Sequence, residues 1–146
     1  MCKDLIHQDA TFMAEAIRNG QTNSFELVSL HKERFQKFNS KLNGIVTFAE
    51  NALEEAINAD KEFKDGLIKG PLHGVPFTMK DVFDSAGIRT TRGSKLFADR
   101  IPEDDSEVVK RLKNAGGILI GKTNLPEFAL AAETSGAMFD KGEIHG

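Results

Sequence analysis

The sequence predicts an α/β fold, and three observations carry the prediction. Short runs rich in β-branched and apolar residues, at 44–48, 75–79 and 118–120, are bounded by glycine or proline and read as strands. Between them lie longer stretches whose apolar residues recur at helical spacing. Hydrophobic residues make up 40% and charged residues 28% of the 146-residue chain, a balance that supports a packed domain rather than a disordered one. Strand and helix alternate, which argues layered packing around a largely parallel sheet with right-handed crossovers.

Each element has its own signal. Asp9 is placed to cap a short helix with Phe12, Met13, Ala16 and Ile17 on its apolar face and Gly20 as its stop. Asn23 with Glu26 resembles a capping box. The helix it opens carries Leu27, Leu30 or His31, Phe35 and Phe38 along one stripe. Residues 44–48 form the first strand. The alanine-rich segment 49–63 follows as a helix, with Ala52, Ala56, Ala59 and Phe63 on one side and an end near Gly66. Gly70-Pro71-Leu72-His73-Gly74 is dense in breakers and reads as a loop. It leads into the strand at 75–79, where Pro76 suits an exposed start or a sheet edge. Ile88–Thr91 is a candidate short strand. Asp104 or Asp105 caps a helix that turns Val108, Val109, Leu112 and Ala115 inward, and Gly116 ends it. Ile118, Leu119 and Ile120 form a buried strand, and Asn124 caps a last helix through Glu127, Phe128 and Leu130.

Composition excludes several classes. The formal net charge of −3 supplies no basic field, so nucleic acid is disfavoured as a partner. No apolar run is long enough to cross a bilayer, and the N-terminus lacks the apolar core of a secretion signal. The one cysteine, Cys2, cannot form an intramolecular disulfide, and its terminal position reads as frayed rather than reactive. Together these features predict a soluble, cytoplasmic protein without membrane contact. His7, His31 and His145 are scattered without metal-ligand spacing, so neither a metal nor a cofactor is expected.

Two lysine motifs compete for attention. Gly116-Gly117-Ile118-Leu119-Ile120-Gly121-Lys122-Thr123 fits the phosphate-loop template, which would make the chain a nucleotide-binding protein. That loop needs a strand before it and a helix opening at its Lys-Thr. Here a helix precedes the glycines and Ile-Leu-Ile wants burial, so the favoured reading is a helix end, a core strand and a strand-end lysine. The other motif is Gly70 to Asp81, where a turn-rich approach enters a short apolar strand ending in Lys80. Sites in α/β sheets gather at strand C-termini. A lysine buried there loses its charge more easily and becomes a base able to activate a serine hydroxyl. From spacing alone a solvated lysine explains Lys80 better, because burying an unpaired ammonium is costly.

A family resemblance changes that balance. Gly70 to Asp81, with Ser85-Ala86-Gly87, Thr90-Thr91-Arg92-Gly93-Ser94 and Gly121-Lys122-Thr123-Asn124-Leu125-Pro126-Glu127-Phe128, resembles the amidase signature family. The resemblance runs from about the first helix to Phe139 and covers the N-terminal portion of such a domain. It implies an α/β/α sandwich with a mixed sheet, incomplete here. It divides the chain into a helical lead-in with one strand (1–66), a lysine-bearing signature segment (67–139) and a divergent tail (140–146). It also implies hydrolysis of linear amides by a serine nucleophile, a bridging serine in a cis peptide, and a lysine. Lys80 matches that lysine. Ser94, Ser106 and Ser135 are present, but none sits in either serine motif, so Lys80 is the one catalytic residue carried over and the substrate-binding residues stay unassigned.

The remaining expectations follow from this reading. The chain is expected to be a truncated family member, inactive alone, whose full-length relatives take a small-molecule amide substrate. Uncovered sheet edges are expected to promote self-association. An interaction or subunit module on the same fold is the alternative, including the amidotransferase subunit that works on charged transfer RNA. His73 is expected in solvent, with substrate contact as the rival. Asp81 is expected to orient Lys80 or cap the next turn, and residues 90–94 to form a turn that can line a cleft. Lys122 is expected to be structural or solvent-facing, since one lysine suffices.

Overall fold

The computed structural model describes residues 5–132 and residue 134. Cys2, Ser135 and the tail at 140–146 lie outside the described residues. In chain order the elements are α1 (Ala10–Arg18), α2 (Ser24–Leu42), β1 (Ile45–Phe48), α3 (Ala52–Lys64), β2 (Pro76–Lys80), α4 (Glu107–Asn114) and β3 (Ile118–Thr123). Short 3₁₀ turns occupy Lys95–Phe97 and Glu127–Ala129. No described helix is long and apolar enough to cross a membrane.

The strand order is β1-β3-β2. β1 runs antiparallel to β3, with Ile45 opposite Thr123 and Phe48 opposite Gly121. Along β2 and its approach the pairing advances in one direction. Gly74 N–H reaches Gly116 C=O at 2.8 Å, and Asp81 N–H reaches Thr123 C=O at 3.1 Å, so β2 and β3 are parallel. The sheet is therefore mixed. Helix–strand alternation anticipates only the β2–α4–β3 crossover; it says nothing about β1, whose sheet neighbour is not its neighbour in sequence.

The described residues form two compact units: 5–34, 50–77 and 111–120 in one, and 35–49, 78–110, 121–132 and 134 in the other. In the first unit Met13, Ala14, Ile17, Leu27 and Val75 form a core, with Leu5 and Leu72 packed on it. Asp9 caps α1 as expected, accepting from Phe12 N–H at 2.8 Å, but Phe12 itself is exposed and Ala14 takes its place inside. Asn23 Oδ1 accepts from Glu26 N–H at 2.8 Å. Glu26 bonds Thr22 Oγ1 at 2.8 Å. The first two N–H groups of α2 find their acceptors on another helix: Asp60 takes Ser24 N–H at 2.7 Å and Phe25 N–H at 3.0 Å. Along α2 the buried side chains are Ser24, Leu27 and Val28, while Phe38 of the expected stripe is exposed.

The loop at 70–75 belongs to the same unit. Gly74 has φ +79°, and a Cβ there would sit 2.0 Å from Ser24 Oγ, so no larger residue fits. His73, expected in solvent, is buried. Its Nε2 meets Ala59 C=O at 2.9 Å and its Nδ1 meets Lys69 N–H at 3.2 Å. One ring nitrogen donates and the other accepts, so a neutral imidazole ties the loop to α3. The rival expectation of substrate contact finds no support, because both nitrogens are already used.

In the second unit Phe35 stacks on Phe48 at 5.1 Å. Asn39 mimics a strand, donating to Ile45 C=O at 2.8 Å and accepting from Ile45 N–H at 2.9 Å. Ile88–Thr91 is not a strand. Thr90 N–H bonds Arg100 C=O at 2.9 Å and its hydroxyl bonds Ile88 C=O at 3.0 Å, which closes a turn instead of a ladder. Asp84 forks onto Arg100 at 2.6 and 2.7 Å, pinning the long loop after β2. Neither Asp104 nor Asp105 caps α4. Ser106 C=O accepts from Lys110 N–H, and Asp105 accepts from Ala86 N–H at 2.7 Å. Asn124 caps no α-helix either: its side chain bonds Asn43 C=O and Leu125 N–H, and Phe128 at φ 51° holds the segment to a 3₁₀ turn.

Candidate functional site

The loop from Lys80 to Ser94 carries most of the residues singled out in sequence, and it lies within the second unit. Lys80 ends β2 with its side chain exposed, while Met79 before it is buried. The described residues therefore do not provide the sheltered pocket that a neutral lysine base requires. The backbone around Lys80 is nevertheless closely tied. Lys80 C=O accepts from Phe83 N–H at 3.1 Å, closing a turn as the chain leaves the strand.

Asp81 takes the structural part expected of it. It is fully buried, its N–H donates to β3, and its carbonyl accepts from Arg92 N–H at 3.0 Å. One carboxylate oxygen receives Thr91 N–H at 3.0 Å and the Thr91 hydroxyl at 2.5 Å. Burial pushes the carboxyl above its usual range, opposed by these two Thr91 bonds and by the charges of Lys122 and Arg89. The other oxygen, Oδ1, has no partner among the described residues. Residues 90–94 form the expected turn, with Arg92 at φ 55° and Gly93 at φ 70°.

Lys122 narrows the sequence reading. Of the two expected places, structural or solvent-facing, it takes the structural one: it is fully buried in the middle strand. Its three ammonium donors meet three oxygens, namely the Phe83 carbonyl, Ser85 Oγ at 2.9 Å and Thr90 Oγ1 at 3.0 Å. Burial lowers the amine to about 8, against the charges of Asp81, Asp84 and Asp105, which favour the protonated form. At neutral pH the group is still an ammonium. This arrangement also rules out a phosphate loop at Gly116–Thr123. Gly116 ends α4 at φ +93°, residues 118–123 are strand, and the lysine donors are spent internally. One sequence signal pointed to the burial of Lys122, though not to its partners: only Gly121 separates it from three residues that demand burial.

A cleft of about 540 Å³ belongs to the first unit, and its walls include Glu62, Lys69, His73, Lys113 and Gly117. Neither Lys80 nor Lys122 lines it. No group of three or more His, Cys, Asp or Glu that could hold a metal occurs among the described residues.

Solved structures similar to this chain include peptide amidases. The peptide amidase PAM bound to the competitive inhibitor chymostatin matches 93% of this chain over 29% of its own, with a TM-score of 0.86 and 29% identity. Native peptide amidase from Stenotrophomonas maltophilia matches 88% of this chain over 27% of its own, with a TM-score of 0.81 and 31% identity. In sequence, a Glutamyl-tRNA(Gln) amidotransferase subunit of Lachnospira eligens is 38% identical over 136 residues, 92% of this chain and 28% of that protein. The same-named protein of Salinispora tropica is 35% identical over 137 residues, 93% of this chain. Residues 26–143 match the Amidase family, and the chain belongs to that family. It spans about 28% of the length of these curated relatives.

Proposed function

We propose that this chain supplies the lysine of an amide-hydrolysing site, with Lys80 as the base. The observation that carries the reading is the position of Lys80: it closes β2 inside the family-matched region, at the strand end where α/β proteins build their sites. The serine partners belong to the part of the relatives' length that these 146 residues do not span. Once covered by that part, Lys80 loses its proton and accepts one from the nucleophilic serine through a bridging serine. The serine oxygen attacks the amide carbonyl. Lys80 returns the proton to the departing amine, and water then clears the acyl group. An exposed Lys80 and the absence of both serine motifs agree in predicting no turnover by this chain alone.

The test is an assay on a simple primary amide, with the chain alone and mixed with the remaining portion of an amidase-family domain. Activity confined to the mixture and abolished by Lys80→Ala supports the proposal. A mixture in which Lys80→Ala works as well as the parent sinks it. The curated relatives favour a second reading, in which the chain forms part of an amidotransferase that works on glutamyl-tRNA. Amide cleavage stimulated by glutamyl-tRNA would select that reading; peptide-amide cleavage indifferent to tRNA would select a free-standing hydrolase. We place either activity in the cytoplasm, on the single cysteine, which leaves no intramolecular disulfide to form.

A further inference from the structure

The assignment of Lys80 leaves the fully buried Lys122 unexplained. An ammonium without a direct carboxylate contact is costly to bury, and a strand interior normally excludes it. What it touches gives the reason. One donor goes to the Phe83 carbonyl, and the N–H of that same residue donates to the Lys80 carbonyl at 3.1 Å. The other two donors hold Ser85 Oγ at 2.9 Å and Thr90 Oγ1 at 3.0 Å, on the outgoing and returning limbs of the loop after β2. Next along β3, Thr123 C=O accepts Asp81 N–H at 3.1 Å. Two consecutive residues of one strand thus hold the loop that follows Lys80, Thr123 at Asp81 and Lys122 at Phe83, Ser85 and Thr90.

We infer that Lys122 is a positioning residue for Lys80: its ammonium, through Phe83, Ser85 and Thr90, fixes the turn of residues 80–83 and so the direction in which the Lys80 side chain leaves the sheet. This rests on the reading of Lys80 as the base. Lys122 exchanges no proton with substrate; all three of its donors are engaged, and the residue has no exposed surface. The side chain acts as a three-pronged tie within a stretch that contains only one short 3₁₀ turn between β2 and α4. An alkyl chain in its place would leave two hydroxyls without their donor and the Phe83 carbonyl with only the long 3.3 Å bond from Ser85 Oγ.

The test uses the 146-residue chain as Lys122→Met, which keeps the chain length and removes the donors, beside Ser85→Ala and Thr90→Val, which each remove one acceptor of Lys122 together with that hydroxyl's own bond to the Phe83 or Ile88 carbonyl. Amide hydrogen exchange is read at Phe83, Thr91 and Arg92, with Leu27 and Val28 as references, together with the Lys80 13Cα and amide shifts. Lys122→Met is expected to speed exchange at Phe83 at least tenfold and to move the Lys80 shifts, with Leu27 and Val28 unchanged. The single-acceptor variants are expected to give about a third of that effect on a logarithmic scale, and they decide the matter if Lys122→Met fails to fold. In the mixed amidase assay, kcat should fall at least tenfold in Lys122→Met with KM unchanged and the pH limb of the base in place. Unchanged Phe83 exchange and Lys80 shifts in any folded variant overturn the inference, and so does loss of the pH limb, which would make Lys122 itself the base. Lys80→Ala separates the two claims. If it leaves activity intact, the base assignment fails, whereas the exchange result at Phe83 stands on its own.

Discussion

Lys122 makes the stability of this fold depend on pH in an unusual window. In the folded chain its amine titrates at about 8, against 10.5 for an ordinary lysine. Between those values the unfolded chain holds the extra proton, so stability rises as pH climbs through the window. The contribution is fully present above 10.5 and lost as pH falls through about 8. The gap, at ~1.4 kcal/mol per pH unit, comes to about 3 kcal/mol. The perturbation is Lys122→Met, which removes the titrating group, and the quantity is the difference in unfolding free energy between parent and variant from pH 7.5 to 10.5. With no tryptophan or tyrosine in the chain, urea unfolding is followed by far-UV circular dichroism, and no phenol ionises to confuse the alkaline range. The parent should gain up to about 3 kcal/mol on the variant across the window. Two parallel profiles would refute the reasoning, because they would mean that the folded amine titrates as freely as the unfolded one.

Other changes test individual contacts. Thr91→Val removes the hydroxyl that donates to Asp81 and accepts from Gly93 N–H, and should cost about 2–3 kcal/mol in urea unfolding while driving the Asp81 carboxyl further up. Asp60→Ala strips acceptors from two N–H groups at the start of α2 and should cost about 1–2 kcal/mol, with exchange rising first at Ser24 and Phe25. Gly74→Ala combines a left-handed backbone with a Cβ 2.0 Å from Ser24 Oγ, and should cost more than about 3 kcal/mol in the same measurement. Adding Ser24→Ala, which deletes a buried hydroxyl that has no partner among the described residues, should recover part of that loss. Lys80→Ala should leave the melting temperature of the isolated chain unchanged within about 1 °C, as its side chain is exposed.

Local rules made part of this fold legible. Asp9 and Asn23 cap the helices they precede because a short side-chain oxygen reaches an N–H three residues on, although at the second helix the two N–H groups in between go to the distant Asp60. Ile118–Ile120 form a buried strand because three consecutive apolar branched residues tolerate little else. Failures cluster where a distant partner decides. Ile88–Thr91 has strand composition, yet Arg100 and Lys122 claim its polar atoms and leave it a turn. His73 and Lys122 belong to residue types that favour water, and both are buried because carbonyls or hydroxyls remote in sequence receive them. At the site, the strand-end place of Lys80 and the structural place of Asp81 were readable from their neighbours, while a catalytic part for Lys80 came only from the family resemblance. The cradle of Phe83, Ser85 and Thr90 was not readable, since no spacing rule links residue 122 to residues 83–90.

The bonds from Asp60 to the start of α2 impose an order of events. As the chain emerges from the ribosome, the first turn of α2 leaves the exit tunnel well before the carboxylate that will hold it, 35 and 36 residues further on. Until then the N–H groups of Ser24 and Phe25 have only water to bond, beside a turn held locally by Asn23. Docking of α3 then locks the start of α2, so the two helices mature as one cooperative event rather than in the sequence of their synthesis.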